Sequence, residues 1–532
     1  MGRQFLQMNL KAFLLIAVLA AGALALSLAV ARPPAPGGRR AQILVIGIDG
    51  GEWKVIDRLW SEGKLPNLKA LAGRGVTATL RTAYNSSPVI WTTIATGVVP
   101  EVHGITDFVV ATPQGDVPIS SDVRKVPALW NMLSRAGRRV AVLGWWGSWP
   151  AEAVNGVVYS DRALLDLPAR VSPPSMLPRF LAELKEADAD PGLFGEGEER
   201  RDRVMARAAA HRAGEGYDLV LLYFRTTDLV SHFNWKFFEP EKFEEDVDPR
   251  ELAAKRGEVP RIYEAVDQEI GRILAAAPRT ANVLVISDHG FRAAPREDIK
   301  AQVNMDAILE RLGYLTHKGG EVDFSRTTLY TYATPDFQRT KDLRFALAGR
   351  EAGGRIRPEE QDRIRQKFEA ALATVTNDQG EPVFTVRDAH PRRGDEGDLV
   401  AVVHLASLTP VLRVGGRPFP PALLSLTRIS GTHTPSTHGI LLAAGPDIDP
   451  KADLSEIRVH DLTPTILYGL GLPVAEDFAG QPRMQLFNSH FRRTHPLRTI
   501  PSWGTRPKGG VARTSRADGD LLNELRSLGY IR

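Results

Sequence analysis

Short apolar runs of strand length recur along the chain, and each breaks off at a glycine, an acidic residue or a turn: AQILVIGIDG (41–50), RRVAVLGWW (138–146), YDLVLLYF (217–224), NVLVISDHG (282–290) and GILLAAGP (439–446). Runs this short, apolar on successive residues, read as strands buried on both faces rather than as helices. Helical patterns separate them, among them LPNLKALAGRG (65–75), VPALWNMLSRAG (126–137) and RIYEAVDQEIGRILAAA (261–277). That alternation predicts an α/β fold, a doubly wound and mainly parallel sheet with helices on both faces. Sheets of this kind bind ligands beyond the C-terminal ends of their strands.

Residues able to ligate a metal stand at those ends. Asp49 follows the first run between glycines, and Asp288 with His289 follows the fourth. Just past the third run, Asp228 and His232 lie four apart in TTDLVSH, on one face of a helical turn. His433, with His438 as its competitor, precedes the last run in GTHTPSTHG. The chain has no cysteine, which excludes disulfides, thiolate zinc sites and cysteine nucleophiles. The ligands form two groups of three, Asp49, Asp288 and His289, and Asp228, His232 and His433. Mixed carboxylate and imidazole ligands suit Zn²⁺, with Mn²⁺ as second choice. Two such ions about 3.5–4 Å apart can clamp the attacking and leaving oxygens of a phosphoryl transfer.

The rest of the chain frames this core. At 532 residues, 43% apolar and 24% charged, it can hold more than one hydrophobic core. A net charge of +4 without a groove-like basic run gives no support to binding a nucleic-acid polymer. An uncharged run at 12–31 follows Arg3 and Lys11, so residues 1–40 read as a signal peptide or membrane anchor with a linker. Both alternatives export everything from about residue 42, to the periplasmic or extracellular side. The catalytic α/β domain is expected at 41–326 and 425–490, with an accessory cap at 327–424 where the alternation weakens. The charged stretches 182–214 and 237–261 read as exposed helical insertions. The basic segment at 491–532 reads as a loosely ordered tail ending in a short helix.

One stretch, NSSPVIWTTIATG (85–97), is crowded with hydroxyls. Such loops ordinarily serve as turns and caps. Taken with VIGIDGG, SPVIWTTIATGVVPEVHGI, TTDLVSH, VISDHGF and THTPSTHGILLAAGP, in this order over about 43–446, it resembles the type I phosphodiesterase/nucleotide pyrophosphatase family of the alkaline phosphatase superfamily. The resemblance implies a metal-dependent hydrolase of phosphate esters whose nucleophile is Ser87, ten residues before Gly97, with Ser86 and Thr92 as fallbacks. It assigns Asp49, Asp288 and His289 to the cation that binds the nucleophile, and Asp228, His232 and His433 to the cation that binds the attacking water.

Hydrolysis would then run through a phosphoseryl intermediate. Where nucleotide pyrophosphatases typically carry Asn after HGI, this chain has Phe108, which argues against nucleotide substrates. Phe108, with Trp91, Trp145 and Trp146, could wall the substrate pocket, and Arg225 could reach a phosphate oxygen. His103 is expected to order its loop rather than react. A sulfatase would need an arginine that SSPVIW lacks. The alternatives are transfer of a phospho-headgroup to an envelope acceptor, or an inactive exported scaffold of the same fold.

Overall fold

The computed structural model describes residues 42–531 apart from 113–114, 245–246, 333–338, 391–396, 456, 507–508 and 528–529. The N-terminal run expected to be a signal or anchor lies outside the described residues. Among the described residues no helix is long and apolar enough to cross a membrane. The described residues divide into two compact units, one within 42–293 and 431–521 and one within 294–430 and 522–531.

The first unit is built on an eight-stranded sheet. Its strands are β1 (Gln42–Ile48), β2 (Gly75–Leu80), β3 (Val140–Leu143), β4 (Gly156–Tyr159), β5 (Val171–Ser172), β6 (Leu219–Phe224), β7 (Ala281–Ile286) and β8 (Gly439–Ala444). They lie in the order β2-β8-β7-β1-β6-β3-β4-β5. The run from β7 to β4 is parallel, with β1 between β7 and β6. Ile43 pairs with Leu219 and Ile48 with Phe224 on one side of β1, and Gln42 pairs with Ala281 on the other.

Side chains alternate across β1. Leu44, Ile46 and Ile48 enter one apolar cluster, and Ile43 and Val45 enter the cluster on the opposite face. Both faces are covered by helices, which explains why β1 reads as an unbroken apolar run. The first face packs against α2 (Glu198–Ala213), α3 (Thr226–Phe238) and α4 (Glu258–Ala276), the second against α1 (Ser87–Thr96). A Cβ at Gly47 would fall 2.7 Å from the Trp91 ring, so only glycine admits α1 this close to β1.

The sheet is mainly parallel, as expected, with antiparallel strands at its edges, while other expectations are corrected. The last apolar run, β8, is antiparallel to both neighbours, β2 and β7, so the parallel arrangement stops at this edge. The segment 198–213 is no exposed insertion, because α2 buries Arg203 and Arg212 almost completely. Its charges are tolerated because each has a partner: Arg212 with Glu183 at 2.9 Å, Arg207 with Glu269 at 3.2 Å and Arg203 with Asp188 at 3.3 Å. The tail is not loose either. Arg506 donates to the Arg124 carbonyl at 2.9 Å and pairs with Glu152 at 2.9 Å, and Arg513 pairs with Asp122 at 2.8 Å. Ala512 packs on the small apolar cluster of Ile105, Ile119 and Val123.

The second unit has its own core, including Leu343, Phe345, Phe368, Leu399 and Val403. A four-stranded sheet runs through it, with neighbouring strands Thr340–Phe345, Leu399–Val403 and Phe384–Asp388 antiparallel, and the helix Gln361–Leu372 buries Ile364, Phe368 and Leu372.

Candidate metal centre

Because β7, β1 and β6 are parallel neighbours, their C-terminal ends emerge side by side. Asp49 follows β1 directly, Asp288 and His289 follow β7, and Asp228 lies in the first turn of α3 just after β6. All four side chains are buried, as is that of His232 one turn further along α3. His289 stands at the middle. Its Nε2 lies 3.3 Å from Asp49 Oδ1, 3.4 Å from Asp288 Oδ2 and 3.9 Å from Asp228 Oδ1.

Two ligand sets result. Single donor atoms of Asp49, Asp288 and His289 lie within 4.8 Å of one another, and so do those of Asp228, His289 and His433. His232 joins the second set through Asp228, with Nε2 3.3 Å from Oδ1. Its ring meets His433 edge-on, 5.4 Å between centroids, while His433 stacks on His289 at 3.7 Å. His433, not His438, is therefore the histidine of the GTHTPSTHG loop that lies against the cluster.

The three imidazoles are oriented alike. His232 Nδ1 faces the Gly431 carbonyl at 2.8 Å, His289 Nδ1 the Gly290 carbonyl at 3.0 Å, and His433 Nδ1 the Asn85 Oδ1 at 3.1 Å. A carbonyl oxygen only accepts, so each Nδ1 carries a proton and Nε2 is the ring nitrogen left to serve as a ligand. This is the tautomer that metal-binding histidines adopt, fixed by an outer hydrogen bond.

The electrostatics also call for a cation. Burial, then the charge of Asp228, pushes the Asp49 carboxyl above its usual range. Burial, then Asp49 and Asp228, pushes Asp288 far above it. Burial acts on Asp228 in the same sense, but the charge and hydrogen bond of His232, helped by His289 and His433, hold it below the usual range. Burial and the neighbouring His289 lower His433 to about 2. Three carboxylates packed out of water repel one another, and Asp288 Oδ2 makes no hydrogen bond although it is buried. The residues fit a divalent cation: hard oxygen and imidazole donors, inward lone pairs and an excess of buried negative charge.

Ser87 is the first residue of α1, followed by Pro88, whose fixed φ suits a helix start. Its Oγ lies 3.3 Å from Asp49 Oδ1 and 3.3 Å from His289 Nε2. The neighbouring threonine hydroxyls are committed to the helix: Thr92 donates to the Pro88 carbonyl at 2.7 Å, Thr93 to that of Val89 at 2.9 Å and Thr96 to that of Thr92 at 2.7 Å. His103 is buried, accepts from Ile105 N–H at 3.1 Å and meets Thr93 Oγ1 at 3.1 Å, which ties its loop to α1.

The aromatic residues divide. Trp91 and Trp145 are core residues. Phe108 is buried edge-on against Trp146, 5.8 Å between centroids. Arg225 lies over the same indole at 5.3 Å and pairs with Glu198 at 3.0 Å. Sequence reasoning passed over three supporting groups. Tyr223 donates its hydroxyl to Asp49 Oδ2, and Asn85 receives His433. Asp202 caps the entry to α3, accepting from Arg225 N–H and Thr226 N–H, both at 2.8 Å. Tyr223 alone had a signal: a polar-tipped residue at the end of an apolar strand, beside two candidate ligands.

Comparison with known proteins follows the same lines. The model of the family described as type I phosphodiesterase/nucleotide pyrophosphatase matches residues 43–406. Among solved structures, murine ectonucleotide pyrophosphatase/phosphodiesterase 5 is 15% identical, with 84% of this chain and 100% of that chain covered at a TM-score of 0.40. Phosphonoacetate hydrolase from Sinorhizobium meliloti 1021, solved with phosphonoformate, is 16% identical, with 82% and 97% covered at a TM-score of 0.41. No curated protein matches the chain. Matched over more than half of its length, the chain belongs to the type I phosphodiesterase/nucleotide pyrophosphatase family, metal-dependent hydrolases of phosphate esters.

Proposed function

We propose that the protein is an exported phosphodiesterase that cleaves a phosphodiester or related phosphate ester through a phosphoseryl intermediate at a site for two cations. The observation that carries this reading is the position of the buried Ser87 Oγ, 3.3 Å from both Asp49 and His289, where the two ligand sets share a histidine. Asp49, Asp288 and His289 would hold one cation, and Asp228, His232 and His433 the other. The chemistry these ions supply, Zn²⁺ by preference and Mn²⁺ as second choice, is neutralisation of phosphate charge and a lowered pKa for hydroxyls.

The protein's own groups do the rest. Ser87 Oγ gives up its proton, for which Asp49 Oδ1 is the nearby acceptor, and attacks phosphorus as the bond to the leaving oxygen breaks. The positive end of a buried helix, the start of α1, supports a phosphoryl group held at Ser87. A water oxygen then attacks phosphorus with loss of a proton, and the bond to Oγ breaks, which restores Ser87. The imidazoles hold their Nε2 lone pairs inward throughout, fixed by the Nδ1 hydrogen bonds.

Phe108, in the position where nucleotide pyrophosphatases typically have Asn, supports a substrate other than a nucleotide. Residues 12–31, uncharged and preceded by Arg3 and Lys11, support export and attachment to the membrane if they are retained.

The test is turnover of bis-p-nitrophenyl phosphate, p-nitrophenyl phosphate and p-nitrophenyl sulfate by purified protein, with and without Zn²⁺. The expected result is Zn²⁺-dependent release from a phosphate ester. Ser87→Ala should lower kcat/KM by about a thousand-fold or more, roughly 4 kcal/mol of barrier. Acid-quenched protein should carry one phosphoryl group on the peptide containing Ser87. Release from the sulfate alone, or undiminished turnover by Ser87→Ala, would overturn the proposal.

A further inference from the structure

Asp49 uses its two oxygens differently. Oδ1 faces Ser87 Oγ and His289 Nε2, both at 3.3 Å, while Oδ2 turns away and accepts from the hydroxyl of Tyr223. The direction of that bond is determined by a third group. Trp146 Nε1 lies 2.6 Å from the Tyr223 oxygen, and an indole nitrogen can only donate. The Tyr223 oxygen therefore accepts from Trp146, and its single proton goes to Asp49. Four groups surround the phenol ring: Trp91 edge-on at 5.1 Å, Trp145 at 6.5 Å, Trp146 at 6.4 Å and the Arg201 guanidinium at 5.3 Å. Tyr223 is buried, and the end of β6 anchors its backbone next to β1, which Asp49 follows directly.

We infer that Tyr223 is a positioning residue of the metal centre, a fixed donor that ties down the outer oxygen of Asp49 so that only the inner oxygen faces the cation and the nucleophile. The inference rests on the proposed reading of the cluster as a metal centre. It follows from the geometry that the two cations depend on Tyr223 unequally. The one held by Asp49, Asp288 and His289 loses an oriented ligand when the phenol hydroxyl is removed. The one held by Asp228, His232 and His433 keeps all of its ligands in place. Trp146 acts one step further out, by fixing the direction in which Tyr223 donates.

The test is titration of the full, metal-stripped protein with Zn²⁺ by calorimetry, and with Co²⁺ followed by its visible absorption, for wild type, Tyr223→Phe, Trp146→Phe and Asp288→Asn. Tyr223→Phe keeps the ring and its packing, and far- and near-ultraviolet circular dichroism checks that the fold is retained. Wild type should bind two ions. Tyr223→Phe should weaken one of them about ten- to a hundred-fold and change the Co²⁺ spectrum of that site, with the other unchanged. Trp146→Phe should weaken the same ion by less, which keeps the inference testable if Tyr223→Phe does not fold. A purely structural role for Tyr223 would lower thermal stability without separating the two sites. Equal affinities in wild type and Tyr223→Phe, with Asp288→Asn losing one ion, would overturn the role of Tyr223 and leave the metal centre standing. Wild type that binds neither ion would overturn both.

Discussion

A close backbone approach beside the centre lies at Gly431, whose carbonyl holds His232 Nδ1 at 2.8 Å and which is two residues from His433. A Cβ there would stand 2.4 Å from the Ser231 carbonyl oxygen, 2.4 Å from Phe291 Cε1 and 2.9 Å from Trp235 Cβ. Real Cβ atoms essentially never approach within 3.0 Å, so Gly431→Ala requires a shift of about 0.6 Å or more between residue 431 and α3. The obstructing oxygen is backbone, so no rotamer change relieves it. Overpacking of this kind costs roughly 1–3 kcal/mol of stability. The shift also displaces the acceptor of His232 and the segment leading to His433. Misplacement of about 1 Å in a catalytic constellation costs on the order of a hundred-fold in rate, so we expect kcat/KM to fall by about ten- to a hundred-fold. Steady-state turnover of the best p-nitrophenyl phosphate ester, with metal content measured on the same samples, provides the assay. Gly257→Ala is the control, because a Cβ there meets nothing within 4 Å. Wild-type kcat/KM and thermal stability in Gly431→Ala would refute the claim that this backbone contact sets the position of the histidines.

Other perturbations test other links. His103 is buried, and burial, then Arg124 and His460, lower its pKa to about 3 against an ordinary value near 6.5, so the fold favours the neutral ring. Its contribution is complete above about pH 6.5 and is lost as pH falls. The loss is about 2 kcal/mol between pH 6.5 and 5.0, and denaturant unfolding of His103→Gln should show a correspondingly flatter pH dependence. Removing bound metal with a chelator should lower the unfolding temperature, and free Zn²⁺ at a hundred-fold over Kd should restore about 2.7 kcal/mol per site, read by calorimetry. Arg506→Ala removes the donor to Arg124 and the partner of Glu152 at 2.9 Å, and should cost about 1–3 kcal/mol and open the loop around residue 122 to limited proteolysis.

The elements legible in the sequence are those whose environment is uniform along their length. Strands β1, β6 and β7 are covered on both faces, so they appear as unbroken apolar runs, and the polar residue that ends each run marks the sheet edge. β2 mixes buried and exposed positions at the sheet margin, and its GVTATL carries no such signature. The burial of α2 is illegible for another reason: its arginines are neutralised by Glu183, Asp188 and Glu269, which lie on other segments, so the helix alone reads as solvated. The same holds for the tail, whose basic residues find carbonyls and acids far away in the chain. Within the site, residue types at strand ends stand out locally. The supporting bonds of Tyr223, Asn85 and Asp202 depend on neighbours supplied by the fold.

Strand order makes the candidate ligands into a centre. Parallel neighbours lie about 4.8 Å apart, so placing β1 between β7 and β6 sets the carboxylates that follow them at the spacing of ligands on shared cations. A chain that buries Asp49, Asp228 and Asp288 together incurs a desolvation and repulsion cost that none of its own hydrogen bonds removes, as the buried Asp288 Oδ2 without a hydrogen bond illustrates. The sheet can bear that cost because its core is large and lies on both faces, away from the strand ends. Folding of the sheet thus prepares the centre in advance, and the energy released when a cation enters is spent on relieving the carboxylates rather than on ordering the chain. That argues for a protein that remains folded when stripped of metal but loses stability locally, at the start of α3 and in the 431–438 loop, where the ligands outside the sheet reside.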